Sequence, residues 1–134
     1  MINKAKLDGL SIKAAALREP TDTLNRKLTE VRDQLRRLNL GVKTCIDISI
    51  SRTEPRVLLY WGRFDKEWDL FTRREGVAAA LLKSSRRMRA VAAKRMPDLL
   101  EALFKALDTE LQLTEEAIKT TDELLAAFEE SRKL

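Results

Sequence analysis

The stretch VLLYWGRFDKEWDLFTR, residues 57–73, decides the fold class, because its pattern differs from that of the long helical segments on either side. Its first half, up to Phe64, is apolar on both faces, as is typical of a central strand covered on both sides. The pair Asp65-Lys66 predicts a tight turn, and the remaining residues predict a returning strand. Since the chain is short, we expect another subunit to supply the second cover.

The segment before this hairpin, VKTCIDISIS at residues 42–51, alternates between apolar and polar residues. This period of two predicts a half-buried strand. One face carries Val42, Thr44, Ile46, Ile48 and Ile50, and the other carries Cys45, Asp47, Ser49 and Ser51. RTEP, residues 52–55, predicts a turn, so the region 42–74 is expected to form a three-stranded antiparallel β-meander.

Two apolar ladders, with steps that alternate between three and four residues, flank the meander. The first is Leu7, Leu10, Ala14, Leu17, Thr21, Leu24, Leu28, Val31, Leu35 and Leu38. The second is Leu100, Phe104, Leu107, Leu111, Thr114, Ile118, Thr121, Leu125 and Phe128. A mean spacing of 3.5 residues is typical of helices that pack as a coiled coil. The ladders are about 46 and 42 Å long at the α-helical rise, which favours an antiparallel pair.

Proline and glycine positions suggest where these helices begin and end. Pro20 suits the start of a helix and disrupts a helix interior. Gly41 suits a C-terminal cap. Pro97 and Asp98 predict the start of the last helix, and the helix before it has a second possible start at Ser84 or Ser85. The predicted helices cover about 4–18, 20–40, 77–96 and 97–130.

Length and composition limit the class of protein. A chain of 134 residues, 44% hydrophobic and 35% charged, is expected to form one domain with its own core. We divide it into a helical arm (1–41), the meander (42–74) and C-terminal helices (77–134). The first residues lack the apolar run of a signal peptide, and the single cysteine excludes an internal disulfide. We therefore expect a cytoplasmic protein that does not span or bind a membrane.

The net charge of +5 is unevenly distributed. Residues 77–97 contain six basic and no acidic residues, whereas residues 98–134 contain ten acidic and four basic residues. On a helix, the basic residues Lys83, Arg86, Arg87 and Lys94 lie within an arc of about 100°. Such an arc suits the phosphates of a nucleic acid, with Arg36 and Arg37 as extensions of the same surface.

Two other interpretations of the basic arc stay open. The first is a solvated face, or one that pairs with the acids Asp98, Glu101 and Asp108 that follow it, with about 0–1 kcal/mol per surface pair. The second is a site for an acidic protein. The segment lacks the interleaved aromatic residues that stack on bases, which weakens the nucleic-acid interpretation.

The hairpin contains most of the aromatic residues of the chain. Tyr60, Trp61 and Trp68 are candidates for a protein interface, because tyrosine and tryptophan are enriched at binding hot spots. The alternative is that Trp61 and Trp68 form a cross-strand pair that stabilises the sheet.

The sequence provides little for catalysis. It contains no histidine, which removes the common Ser-His and Cys-His nucleophile systems and most zinc sites. Its four glycines are scattered and form no phosphate-binding loop, and Cys45 has no histidine to act as its base. We predict no catalytic residue, no metal and no cofactor.

Together these observations predict an α+β, mostly helical fold in which a long antiparallel helix pair carries an inserted three-stranded meander. Exposed seams and a small sheet favour a homodimer. The favoured function is a non-enzymatic protein-interaction or regulatory module inside the cell. The alternative is a nucleic-acid-binding protein that uses the basic segment 83–95.

Overall fold

The computed structural model describes residues 3–51 and 54–133 and shows an α+β, mostly helical fold, as predicted. The helices are α1 (Lys4–Ala16), α2 (Arg18–Leu38), a 3-10 turn (Leu81–Lys83), α3 (Arg86–Lys94) and α4 (Met96–Arg132). The strands are β1 (Thr44–Asp47), β2 (Val57–Phe64), β3 (Glu67–Arg74) and β4 (Val77–Ala80). The sheet is antiparallel throughout, with the strands in chain order.

The sheet has four strands where three were predicted. Asp65 and Lys66 both have positive φ, of 51° and 75°, and form the predicted two-residue turn between β2 and β3. Glu75 and Gly76 repeat this geometry, with φ of 50° and 80°, and fold the next residues back on β3. The prediction of an α-helix from residue 77 was therefore wrong up to residue 85, because this second turn overrides the helix propensity of the alanines. The alternative start at Ser85 is confirmed, since Ser85 is the N-cap of α3.

Strand β1 is shorter than the predicted 42–51. The alternation nevertheless holds on the inner face, where Val42 and Ile48 are buried and Ile46 is partly buried, although Ile50 is exposed. Beyond the strand, Ile48 donates its N–H to the Val57 carbonyl at 2.9 Å, which continues the ladder for one more bond. The predicted turn at 52–55 lies partly outside the described residues.

The first two helices meet at Leu17 and not at Pro20. Leu17 keeps right-handed helical torsion angles and donates its N–H to the Lys13 carbonyl at 3.1 Å, so the chain stays close to helical through the junction. Pro20 is the third residue of α2, where its missing N–H breaks no helical hydrogen bond. The cap of α2 is Asn39, with φ 49° and ψ 51°, two residues before the predicted Gly41.

One face of the sheet packs on the helices and forms the core. Leu59 and Trp61 of β2 and Leu70 of β3 project from this inner face and are almost fully buried. The helices and the 3-10 turn cover them with Leu28, Leu35, Leu81, Ala92, Met96, Leu99 and Leu103. Part of α2 and part of α4 therefore pack on the same face of the sheet.

Among the described residues of one chain, the two ladders do not form the predicted coiled-coil-like seam. In α2 the ladder residues from Leu24 to Leu35 face the core, but Leu7, Leu10 and Leu17 are exposed. In α4 the inner side is Met96, Leu99 and Leu103, whereas the ladder residues Leu100 and Phe104 are exposed. The sheet packs against the neighbouring apolar stripe of α4, so Leu107 is the one residue of the second ladder that packs on the core and the others are exposed.

Candidate interaction surfaces

The C-terminal part of α4 is a helix without tertiary cover. Every residue of the segment 108–132, which we call the C-terminal arm, is exposed. At 1.5 Å per residue the arm is about 37 Å long. It carries six large apolar side chains that are each more than half exposed: Leu111, Leu113, Ile118, Leu124, Leu125 and Phe128.

These apolar side chains share one side of the arm. At 100° per residue they fall within an arc of about 160°, and most of the charged residues fall outside it. This apolar side is wide enough for a second helix to pack against it, and it extends along the arm. The second ladder lies within this arc, but it was predicted to pack against the first ladder.

The predicted basic residues all lie at the surface, in the 3-10 turn and at the two ends of α3. Arg86, Arg87 and Lys94 project from α3 and are exposed, whereas Lys83 is an exposed residue of the 3-10 turn and not of the helix. Ser85 caps α3 by accepting a hydrogen bond from the Met88 N–H at 3.2 Å. Lys83, Arg86, Arg87 and Lys94 together are called the basic surface below.

Charged residues next to the basic surface make hydrogen bonds within the chain. Arg89 turns inward and donates to the Ser84 carbonyl. Asp98, which was considered as a partner of the basic surface, instead accepts a hydrogen bond from Arg95 Nε at 2.7 Å. Within the described part of the chain, no ion pair involves the basic surface.

Arg36 does not extend the basic surface, because its guanidinium fastens α2 to the β2–β3 hairpin. Its Nε donates to the Trp68 carbonyl at 2.6 Å, and its Nη2 lies 3.3 Å from Glu67 Oε2. Arg37 is exposed beside it. The charge pattern alone does not indicate this difference between adjacent arginines.

The two tryptophans pack against each other on the inner face of the sheet. Trp61 lies opposite Leu70 and Trp68 opposite Arg63, so the rings meet diagonally with centroids 6.1 Å apart. Trp61 is only 2% exposed and serves the core, which fits the packing alternative and leaves it unable to contact a partner directly. Trp68 is half-buried and lines a cleft of about 250 Å³ with Arg36 and Glu67.

Tyr60 lies on the outer face of the sheet, in a stack of aromatic rings. Its ring lies 4.9 Å from that of Phe71, and Phe64 stacks on Phe71 at 5.1 Å. The guanidinium of Arg73 lies 5.7 Å from the centre of the Tyr60 ring. Phe71 is buried within this stack, whereas Tyr60 and Phe64 remain partly exposed. The stack therefore covers part of the outer face of β2, for which we had expected another subunit as the cover.

A small polar cluster closes the loop that joins β1 and β2. Asp47 accepts a hydrogen bond from the Ser49 N–H at 2.8 Å and pairs with Arg56 at 3.0 Å. The hydrogen bonds from Ser49, together with Arg56, hold the pKa of Asp47 below its usual value. The neighbouring Cys45 is exposed.

Comparisons with known proteins add no assignment. No family model matches the chain, and neither the curated proteins nor the solved structures include a match. Across residues 3–51 and 54–133, no group of three or more Cys, Asp or Glu side chains could hold a metal ion. Every helix in that same part of the chain is too short or too polar to cross a lipid bilayer.

Proposed function

We propose that this chain is a non-enzymatic protein-interaction module and that the C-terminal arm is its binding element. The observation that carries the proposal is the complete exposure of an amphipathic helix about seven turns long. Large contiguous apolar surfaces on a protein mark sites of interaction. The lack of histidine supports a role without catalysis, and the lone exposed Cys45 fits a reducing cytoplasm.

Burial of this face is a sufficient driving force for binding. Each large apolar side chain that becomes fully buried contributes about 1.5–3 kcal/mol. Helices in proteins gain most of their stability from packing of an amphipathic face, so the arm is also stabilised when a partner covers it. The apolar face fits another helix best, because the alternating ladder is the pattern of helix-to-helix packing.

The charges of the arm argue against a lipid surface as the partner. The segment 108–132 contains eight acidic and two basic residues. Helices that lie on anionic membranes carry lysine and arginine on their polar face. The acidic arm would be repelled by the same lipids, which favours a protein partner.

The test compares two triple-alanine variants of the arm. Leu111→Ala/Ile118→Ala/Leu125→Ala removes side chains from the apolar face, and the control Gln112→Ala/Lys119→Ala/Glu123→Ala changes the opposite face without altering net charge. Alanine favours helix at every one of these positions. We expect the wild type and the control to capture the same proteins from the native host, and the apolar-face variant to lose them. Equal capture by all three chains would refute the proposal.

A second candidate function is binding of nucleic acid by the basic surface. The observation that favours it is the exposure of Lys83, Arg86, Arg87 and Lys94 without ion pairs among the described residues. If all four neutralise phosphates of duplex DNA, the logarithm of the binding constant falls with that of the salt concentration with a slope of about −3.6.

This second function has its own test by fluorescence anisotropy with labelled duplex DNA and RNA. We expect Arg86→Glu/Arg87→Glu to abolish binding. The control Lys105→Glu/Lys119→Glu makes the same charge change on α4 and should leave most of the binding intact. Equal loss in both variants would indicate an effect of net charge alone and would reject a site at the basic surface.

A further inference from the structure

The apolar face of the C-terminal arm is bordered by a row of acidic residues at intervals of seven. The row, which begins about two turns before the arm, is Glu101, Asp108, Glu115, Asp122 and Glu129. All five side chains are exposed, and none has an ion pair within the described residues. They directly follow ladder positions, which places them where charges of a partner helix meet them in a coiled coil.

The exposed part of the first ladder has the opposite charge at its borders. Leu7, Leu10 and Leu17 are uncovered, and Lys6 and Lys13 directly precede ladder positions with the same interval of seven residues. Arg18 directly follows the ladder residue Leu17. In this exposed segment, residues 4–21, which we call the N-terminal stripe, the positions that flank the ladder as in a coiled coil are Lys6, Ser11, Lys13, Arg18 and Pro20. Its acidic residues, Asp8 and Glu19, lie farther round the helix, on the side away from the ladder.

We propose that the arm of one chain packs on the N-terminal stripe of a second copy, and that the exchange is reciprocal in a two-fold dimer. This inference rests on the proposed function and names its partner. Charges at the borders of a coiled coil select the partner helix. Two arms side by side would bring acidic rows together, whereas an arm on an N-terminal stripe brings acidic residues to basic ones.

The anchoring of the helices favours a second copy over pairing within one chain. The N-terminal stripe is held through α2, whose Leu28 and Leu35 are buried in the core. The arm is held through Leu99 and Leu103 in the same core. With both helices anchored, both apolar stripes remain exposed in the single chain. A two-fold dimer covers each stripe with the complementary stripe of the other copy, at two equivalent contacts.

A zero-length carbodiimide cross-linker tests which groups meet, since it joins an amine to a carboxylate only when they touch. Unlabelled and ¹⁵N-labelled chains are mixed, cross-linked and digested for mass spectrometry. We expect peptides of mixed isotope composition that link Lys6 or Lys13 to the acidic row, and a dimer in sedimentation velocity. Links only within one isotope, or a monomer throughout the micromolar range, would overturn the proposal.

Charge reversal gives a second and independent test. Glu115→Lys/Asp122→Lys/Glu129→Lys reverses the acidic row. The control Glu116→Lys/Glu123→Lys/Glu130→Lys makes the same charge change on the side of the helix away from the seam. We expect the dimer dissociation constant to rise at least tenfold in the first variant and to change less than threefold in the control. Equal changes in the two would contradict the proposal.

A complementary variant, Lys6→Glu/Lys13→Glu, distinguishes the proposed exchange from arm-to-arm pairing. Alone, it is expected to be monomeric, whereas arm-to-arm pairing would leave its dimer intact. Mixed with the reversed-row variant, it restores opposite charges at both contacts and is expected to form a heterodimer. If no self-association is seen but host proteins still bind the apolar face, the proposed function stands and only the second-copy assignment fails.

Discussion

The ring of Phe71 lies over Gly62 on the neighbouring strand, with its Cε1 atom 3.5 Å from the point that a Cβ at residue 62 would occupy. The glycine thus leaves room for the ring that stands between Tyr60 and Phe64 in the outer stack. A ring that covers a strand glycine in this way replaces the packing that a side chain would otherwise provide.

We predict a sharp size limit at Gly62. A methyl group at 3.5 Å makes an ordinary contact, so Gly62→Ala should change the free energy of unfolding by no more than about 1 kcal/mol. Gly62→Ile adds carbons that reach into the ring and should destabilise the protein by about 1–3 kcal/mol. Urea unfolding of the two variants measures the difference, and an isoleucine variant as stable as the wild type would show that Phe71 is not held there.

Two adjacent leucines of α4 should respond very differently to truncation. Leu99 is fully buried and Leu100 is 45% exposed. Leu99→Ala should therefore cost about 2–5 kcal/mol through a cavity in the core, and Leu100→Ala about 0.5 kcal/mol or less. Unfolding is measured at a concentration low enough to prevent association. A larger effect at Leu100 would show that the predicted ladder, and not the stripe through Leu99, faces the core.

The two tryptophans should differ in their access to solvent. Trp68→Phe leaves the buried Trp61 as the only indole, and Trp61→Phe leaves the half-buried Trp68 at the cleft. We expect acrylamide to quench the fluorescence of the first variant much less than that of the second. The urea-unfolded forms of both, quenched equally, serve as the control, and equal quenching of the native forms would contradict the assigned burial.

The stability supplied by Asp47 should disappear in acid. Its pKa is lower in the folded protein than the ordinary value of 3.8, so the stabilisation is present above that value and is lost as the pH falls through the folded pKa. The difference in unfolding free energy between wild type and Asp47→Asn should be constant from about pH 5 to 7 and shrink below about pH 4. An undiminished difference at pH 2 would assign it to some other effect of the substitution.

The sequence predicted those features of the fold that depend on residues close together in the chain. The Asp65-Lys66 turn, the register of alternating residues around Ile46 and Ile48, and the start of the last helix near Pro97 all follow from the nearest few residues. The fourth strand did not, because its alanines favour a helix and only the turn at Glu75-Gly76 pairs them with β3.

The sequence predicted that the residues of the basic surface are exposed, but not the contacts that individual side chains make. Charge pattern alone located the exposed residues of the basic surface, but it could not separate Arg36, which reaches the Trp68 carbonyl, from the exposed Arg37. In α4, apolar residues form two neighbouring stripes, one through Leu99 and one through Leu100. Periodicity cannot choose between such stripes, since the choice depends on which of them fits the sheet.

The borders of the sheet limit how this protein can aggregate. The edge strands β1 and β4 are four residues long, half the length of the strands they flank, and the tip of the central hairpin between them carries Arg63, Asp65 and Lys66. Short edges and charged tips discourage the recruitment of further strands from other molecules. Fibril growth through main-chain pairing is thereby disfavoured.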